Sequence, residues 1–261
     1  MYQNNRRSLP RVQKQKSPKW PFVLLAIFAA CLLLSSAYMV FRNVRHVASD
    51  KDPASGQTSS FDKQQFSLTD PASPWVVVNK KRPLNPEEYE PTGLRTPNMK
   101  VESSDMQLNN ETASSLEMLA AAASKDGVDL IVSSAYRSYT QQASIYNSMV
   151  RGYGQEQADR ESARPGYSEH QSGWAVDLGA ANGECRIEAC FADTPEGKWL
   201  AANAYKHGFI IRYIPGKEQI TGYNYEPWHL RYVGTELSTE MHHTGTKTLE
   251  EFFGLPAAPS Y

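Results

Sequence analysis

The sequence predicts an α+β fold, with helices packed on a small antiparallel sheet and one transmembrane helix ahead of it. Three observations carry that reading. Strand-length apolar runs and stretches of helical spacing are mixed without the regular βαβ alternation of a parallel sheet. The periodic segments span residues 73–255, enough chain for one real core. A single uncharged apolar run stands near the N-terminus. The 261 residues are 40% hydrophobic and 21% charged, which excludes a wholly disordered chain, a collagen and a multi-span membrane protein.

Taken in chain order, residues 1–19 form a basic tail: Arg6, Arg7, Arg11, Lys14, Lys16 and Lys19 precede the apolar run from Trp20 to Phe41. A run of about 20 apolar residues spans a bilayer as a helix. The basic flank places the N-terminal end in the cytoplasm and everything after Phe41 outside. A cleaved signal peptide is the main rival, but its apolar stretch is shorter and no Ala-x-Ala site follows cleanly. Phe28-Ala-Ala-Cys31 loosely resembles a lipoprotein cleavage site, yet the uncharged, mainly apolar run continues for ten positions beyond Cys31. Residues 42–72, rich in Ser, Asp, Gln and Pro, read as a solvated linker. With six basic residues in the N-terminal part, the remainder holds 21 basic against 28 acidic residues. An acidic body argues against a nucleic-acid partner, and the sequence indicates no protein partner.

The folded part reads as follows. Trp75-Val-Val-Val78 is a β-branched run ended by Asn79-Lys-Lys-Arg-Pro83, a strand signal. Leu116, Leu119, Ala120 and Ala123 recur at helical spacing from about Asn109, and Gly127 closes that helix. Asp129 to Ala135 predicts a buried strand and Tyr139 to Met149 an amphipathic helix. Residues 151–168 are polar and broken by Pro165-Gly166, a turn. Trp174 to Leu178 is strand-like. Thr194-Pro195 predicts an N-cap with proline in the first turn, and Gly208 ends the helix before a strand from Phe209 to Ile214. Trp228 to Val233 alternates again, and residues 256–261 read as a tail. Cys185 and Cys190, five apart in a loop outside the cell, predict a disulfide. Cys31 lies in the anchor.

The chemistry-bearing stretch is Ser168-Glu-His170-Gln-Ser-Gly173-Trp-Ala175-Val-Asp177. A carboxylate inside an apolar strand is costly to bury unless paired or bound to a metal. Downstream stands Glu226-Pro-Trp-His229-Leu-Arg231. His170, Asp177 and His229 make a three-ligand set of the kind a catalytic zinc uses, with one position left for water. Glu226 is then a natural base beside that water. Structural readings stand beside each: His170 capping a turn, Asp177 accepting from loop amides, His229 as a half-buried strand residue. His46, His207, His242 and His243 read as juxtamembrane, helix-end and surface residues.

Together these two motifs resemble the zinc D-Ala-D-Ala carboxypeptidase family of the VanY type. Ser134-Ala-Tyr-Arg137-Ser138 followed by Gln142 is similar to that family's Ser-Gly-Tyr-Arg-Ser…Gln element, with Ala135 in the glycine position. Trp75 to Lys80 with Pro83-Leu84 resembles its opening strand. The likeness covers residues 74–233. It implies a hedgehog/D,D-peptidase-like fold and one bound Zn2+ on His170, Asp177 and His229. It further implies Glu226 as general base, Arg137 polarising the scissile carbonyl, and Gln142 and Ser168 holding the terminal D-residue. The implied activity is removal of the C-terminal D-Ala from peptidoglycan stem peptides, outside a bacterial cell and tethered to its membrane by a single-pass anchor. L,D-carboxypeptidase action on tetrapeptide stems and a non-catalytic cell-wall-binding module are the alternatives. A non-haem iron oxygenase shares the two-His-one-carboxylate set, but location and Glu226 count against it. Ser60-Phe-Asp-Lys63 matches Ser-x-x-Lys, yet it falls in the linker and no Lys-Thr-Gly follows.

Overall fold

The computed structural model describes residues 61–261. The expected cytoplasmic tail, the transmembrane helix at 20–41 and the first part of the linker lie outside the described residues. Among the described residues no helix is long and apolar enough to cross a membrane.

The fold is α+β. A two-stranded ribbon, β1 (Leu94–Arg95) and β2 (Leu108–Asn109), precedes a four-stranded antiparallel sheet. That sheet comprises β3 (Leu130–Ser134), β4 (Ala175–Ala180), β5 (Phe209–Tyr213) and β6 (Glu226–Tyr232), in the order β3-β4-β6-β5. Helix α1 (Asn110–Lys125) turns Leu116, Leu119 and Ala123 inward, as their spacing predicts. Gly127, at φ +77°, follows its C-terminal turn. Helix α2 (Tyr139–Tyr153) starts on a capping box, the Ser138 hydroxyl accepting from Gln141 N while the Gln141 side chain accepts from Ser138 N. Helix α3 (Gln155–Glu161) lies in the stretch expected as a turn; only Ala158 is buried in it, so no apolar period announces it. Helix α4 (Pro195–Asn203) is capped by Thr194, whose hydroxyl accepts from Gly197 N at 3.1 Å. Short helices α5 (Glu218–Thr221), α6 (Thr235–Thr244) and α7 (Leu249–Phe253) complete the chain.

The sheet has two unlike faces. Val176 and Leu178 of β4, Phe209 of β5 and Leu230 of β6 pack with Leu116, Leu119 and Leu200 in the main core. Each fully buried side chain of this size contributes about 1.5–3 kcal/mol. Asp177, Arg212, His229 and Arg231 alternate with those residues and so point to the opposite face. All four are buried.

That polar face is covered in part by residues 74–79. Trp75–Val78 is buried but pairs with no strand of the sheet. Its carbonyls accept from arginine side chains instead: Arg231 reaches Pro74 O and Val76 O, each at 2.8 Å, and Arg82 reaches Val77 O at 3.1 Å. Residues 61–72, assigned to the linker by composition, pack on this segment, with Phe61 stacked on Trp75 at 5.4 Å. The last six residues are held likewise: Ala258 N donates to Ile220 O at 2.8 Å, and Tyr261 Oη accepts from Arg164 N at 2.8 Å. A few aromatic residues anchor stretches whose average composition is polar.

Candidate active site

Asp177 and His229 are directly opposed across the β4–β6 ladder. His170 comes from a one-turn 3-10 helix, Glu169–Ser172, just before β4. Gly173 closes that turn at φ +75°, where a Cβ would stand 3.0 Å from the Asn109 side chain. Glycine therefore meets both needs at once, the left-handed backbone and the close approach. Asn109 in turn donates Nδ2–H to Ser172 O at 2.9 Å, fixing the turn to the start of α1.

Two register irregularities flank the centre. In the β3–β4 pair, Val132 faces Leu178 but Ser134 faces Asp177, so β3 carries an extra residue beside the carboxylate. In the β5–β6 pair, Ile211 faces Leu230 but Tyr213 faces Glu226, so β6 takes two more residues than its partner. In a regular strand Glu226 and His229 would lie on opposite faces. The irregularity brings both into one small cavity of about 50 Å³, which Arg137, Ser168, His170 and Tyr213 also line. Bulges commonly re-aim side chains in this way next to active sites.

The hydrogen bonds fix which ring atoms are free. His170 Nδ1 lies 2.7 Å from Ala135 O, and a carbonyl only accepts, so this nitrogen carries the proton. His229 Nε2 donates to Glu169 Oε2 at 3.2 Å. The remaining nitrogens, His170 Nε2 and His229 Nδ1, each lie 3.2 Å from an Asp177 oxygen. Ligand atoms of the three residues all fall within 4.8 Å of one another. His170 Nε2 and Asp177 Oδ1 are buried without a hydrogen-bond partner. Buried acceptors aimed at each other are costly, and a divalent cation satisfies them together. Two imidazoles with protonated outer nitrogens and one carboxylate are a donor set that suits zinc.

Charge agrees with that fit. Burial and the nearby Arg137 push His170 down to about 4, so its ring is neutral. Asp177 stays ionised against the cost of burial, held well below the usual carboxylate range by His170 and His229. Burial would lower His229, but hydrogen bonds to Asp177 and Glu169 outweigh it and push the ring up to about 9. Burial and the Asp177 charge push Glu226 up to about 8, against the pull of His229 and Arg137. Without a cation Glu226 and His229 therefore hold protons that a base and a ligand must give up; a metal ion reverses that balance.

The structure thus gathers His170, Asp177, His229, Glu226, Arg137 and Ser168 at one place. Gln142 is buried but stands behind the wall, donating to Ser162 Oγ at 3.1 Å and Ala163 O at 2.7 Å, two residues that line the cavity. Cys185 and Cys190 are bonded, with Cα atoms 5.5 Å apart, and neither lines the cavity. Ala135 keeps a negative φ, so alanine in the family's glycine position adds no strain. Sequence reasoning missed Tyr213, whose ring centroid lies 4.9 Å from that of His229, and Glu169. Glu169 is adjacent to the candidate ligand His170 in the chain, yet nothing in a single sequence tells which of two neighbours faces the second histidine.

Comparison with known proteins agrees with this geometry. Residues 105–235, half of the chain, match the family model VanY, described as D-alanyl-D-alanine carboxypeptidase. The chain belongs to that family. It is 39% identical over 191 residues to the putative carboxypeptidase YodJ of Bacillus subtilis, covering 72% of this chain and 69% of that protein. The LdcB LD-carboxypeptidase structure aligns with a TM-score of 0.66 at 39% identity, covering 70% of this chain and 87% of LdcB. The Zn(II) complex of the vancomycin-resistance D,D-pentapeptidase VanY from the VanB-type cassette aligns with a TM-score of 0.58 at 34% identity, covering 69% and 98%.

Proposed function

We propose that this protein is a membrane-anchored zinc carboxypeptidase that removes the C-terminal D-Ala from peptidoglycan stem peptides. The observation that carries it is the convergence of His170 Nε2, His229 Nδ1 and the Asp177 carboxylate beside Glu226 and Arg137 in one small cavity. The basic flank and apolar run of residues 1–41 support an anchor that places the domain where such peptides are found.

Zinc, when bound by these three residues, supplies an acidified water and a Lewis acid for the scissile carbonyl. The other parts belong to the chain. Glu226 Oε2 stands 3.6 Å from His229 Nδ1. From there it takes a proton from the attacking water and returns it to the leaving amine nitrogen as the C–N bond breaks. The Arg137 guanidinium, always charged and planar, offers paired donors to the oxygen that gains negative charge. Ser168 lines the same cavity and would contact the substrate's terminal residue there.

D,D-cleavage of pentapeptide stems is the leading reading, supported by the VanY match. A second, L,D-cleavage of tetrapeptide stems, is favoured by the closer likeness to LdcB than to VanY. Mass spectrometry of the protein incubated with penta- and tetrapeptide muropeptides, with and without a chelator, separates the two. Loss of one alanine from the pentapeptide only, abolished by chelation, is expected. Cleavage of the tetrapeptide alone would establish the second reading, and chelator-insensitive or absent turnover would overturn both.

A further inference from the structure

Behind the metal-ligand candidates lies a charge relay that reaches beyond the family-matched segment. Glu169 Oε1 accepts from Arg212 Nε at 2.8 Å and from Arg231 Nη1 at 2.9 Å, which leaves Oε2 for His229 Nε2. Arg212 is in turn gripped by both oxygens of Glu250, at 2.9 and 2.7 Å. Asn79 Nδ2 donates to Glu250 Oε1 at 2.8 Å. The side chains of Glu169, Arg212, Arg231 and Glu250 are fully buried. Glu250 sits on α7 and Asn79, itself buried, on the segment at residues 74–79, both outside residues 105–235.

We infer that Glu169 is a positioning residue for His229, and that Arg212, Arg231 and Glu250 act through it, so that helix α7 belongs to the support of the metal centre. The geometry does two jobs. Saturating Oε1 with two guanidinium groups aims Oε2 at His229, and the hydrogen bond to Nε2 keeps Nδ1 free for a metal. With Oε1 taken by two guanidinium groups and Oε2 by His229 Nε2, both oxygens of Glu169 are engaged, so it holds the imidazole without competing as a ligand. An outer partner of this kind typically changes metal affinity about 10- to 100-fold. The inference rests on the zinc reading above.

Two measurements on the zinc-loaded protein test it. Competition with a chromophoric chelator gives the zinc affinity, and proton NMR gives the His229 ring N–H resonance, which a strong hydrogen bond to a carboxylate shifts downfield and protects from exchange. Glu169→Gln is expected to lower affinity about 10- to 100-fold and to move that resonance upfield. Glu169→Asp keeps the charge for both arginines but shortens the reach, and serves if Glu169→Gln does not fold; the same direction of change is expected. Unchanged affinity and an unmoved resonance in a folded variant would overturn the inference, as would a wild-type spectrum with no protected downfield ring proton. Wild-type protein that binds no zinc would instead overturn the zinc reading itself.

Discussion

Two clusters of buried charge share His229 and differ in one respect. In the outer cluster every charged group has its partners: Glu169 takes two arginines and a histidine, and Arg212 takes two carboxylates. In the inner one, His170 Nε2 and Asp177 Oδ1 have none. Both are inside the protein, and burial alone would not tell them apart. The closed network is a structural support, complete without a ligand. The open one is incomplete as the chain makes it, and incompleteness in a buried site is what points to an added cation.

The contrast can be broken or sharpened by experiment. Glu226→Ala removes a base from the open cluster without touching the ligand set, so zinc content stays at one ion while turnover falls about 10²- to 10⁴-fold; an active variant breaks the assignment. Glu250→Gln takes one charge from the closed cluster, and chemical denaturation should show a loss of about 3 kcal/mol. An unchanged midpoint would mean that the network contributes little to stability. Arg137→Lys keeps charge but not the planar fork, and kcat should drop at least 10-fold with zinc affinity unmoved.

The smallest expected effect is in pH dependence. Glu226, raised from its ordinary 4.5 to about 8, and His229, raised from 6.5 to about 9, both bind protons more tightly in the folded state than in the unfolded one. Their contribution is fully present at low pH and is lost as pH rises through those values. His170 and Asp177 act in the opposite sense and lose theirs as pH falls. Between pH 6.5 and 9 the chelated protein should therefore melt at progressively lower temperature. Zinc displaces the two protons, so the gap between loaded and chelated melting curves should widen over the same range. A constant gap would contradict the assignment of those protons.

Much of the site was legible in the chain because its members are separated by fixed motifs and by unusual chemistry. A carboxylate at Asp177 inside an apolar strand signals a special role before any geometry is known. Helix α1 and strands β3 and β4 were readable from the apolar residues they bury, and α4 from its Thr194-Pro195 start. The failures have physical causes. Trp75–Val78 has strand composition, but its carbonyls are taken by Arg82 and Arg231 rather than by a neighbouring strand. Helix α3 buries one alanine and so lacks an apolar period. Arg212 pairs with Glu169, 43 positions before it, and with Glu250, 38 positions after it, and pairing at that range leaves no local mark.

The uneven register of β6 has a further consequence. Because the glutamate reaches the cavity only through the two residues by which β6 outruns β5, inserting or deleting a single amino acid between Pro227 and Leu230 would swing it to the far side of the ribbon with every candidate site residue still present. Spacing in this stretch is therefore as much a part of the enzyme as identity, and its tolerance to indels should be far lower than its tolerance to exchange.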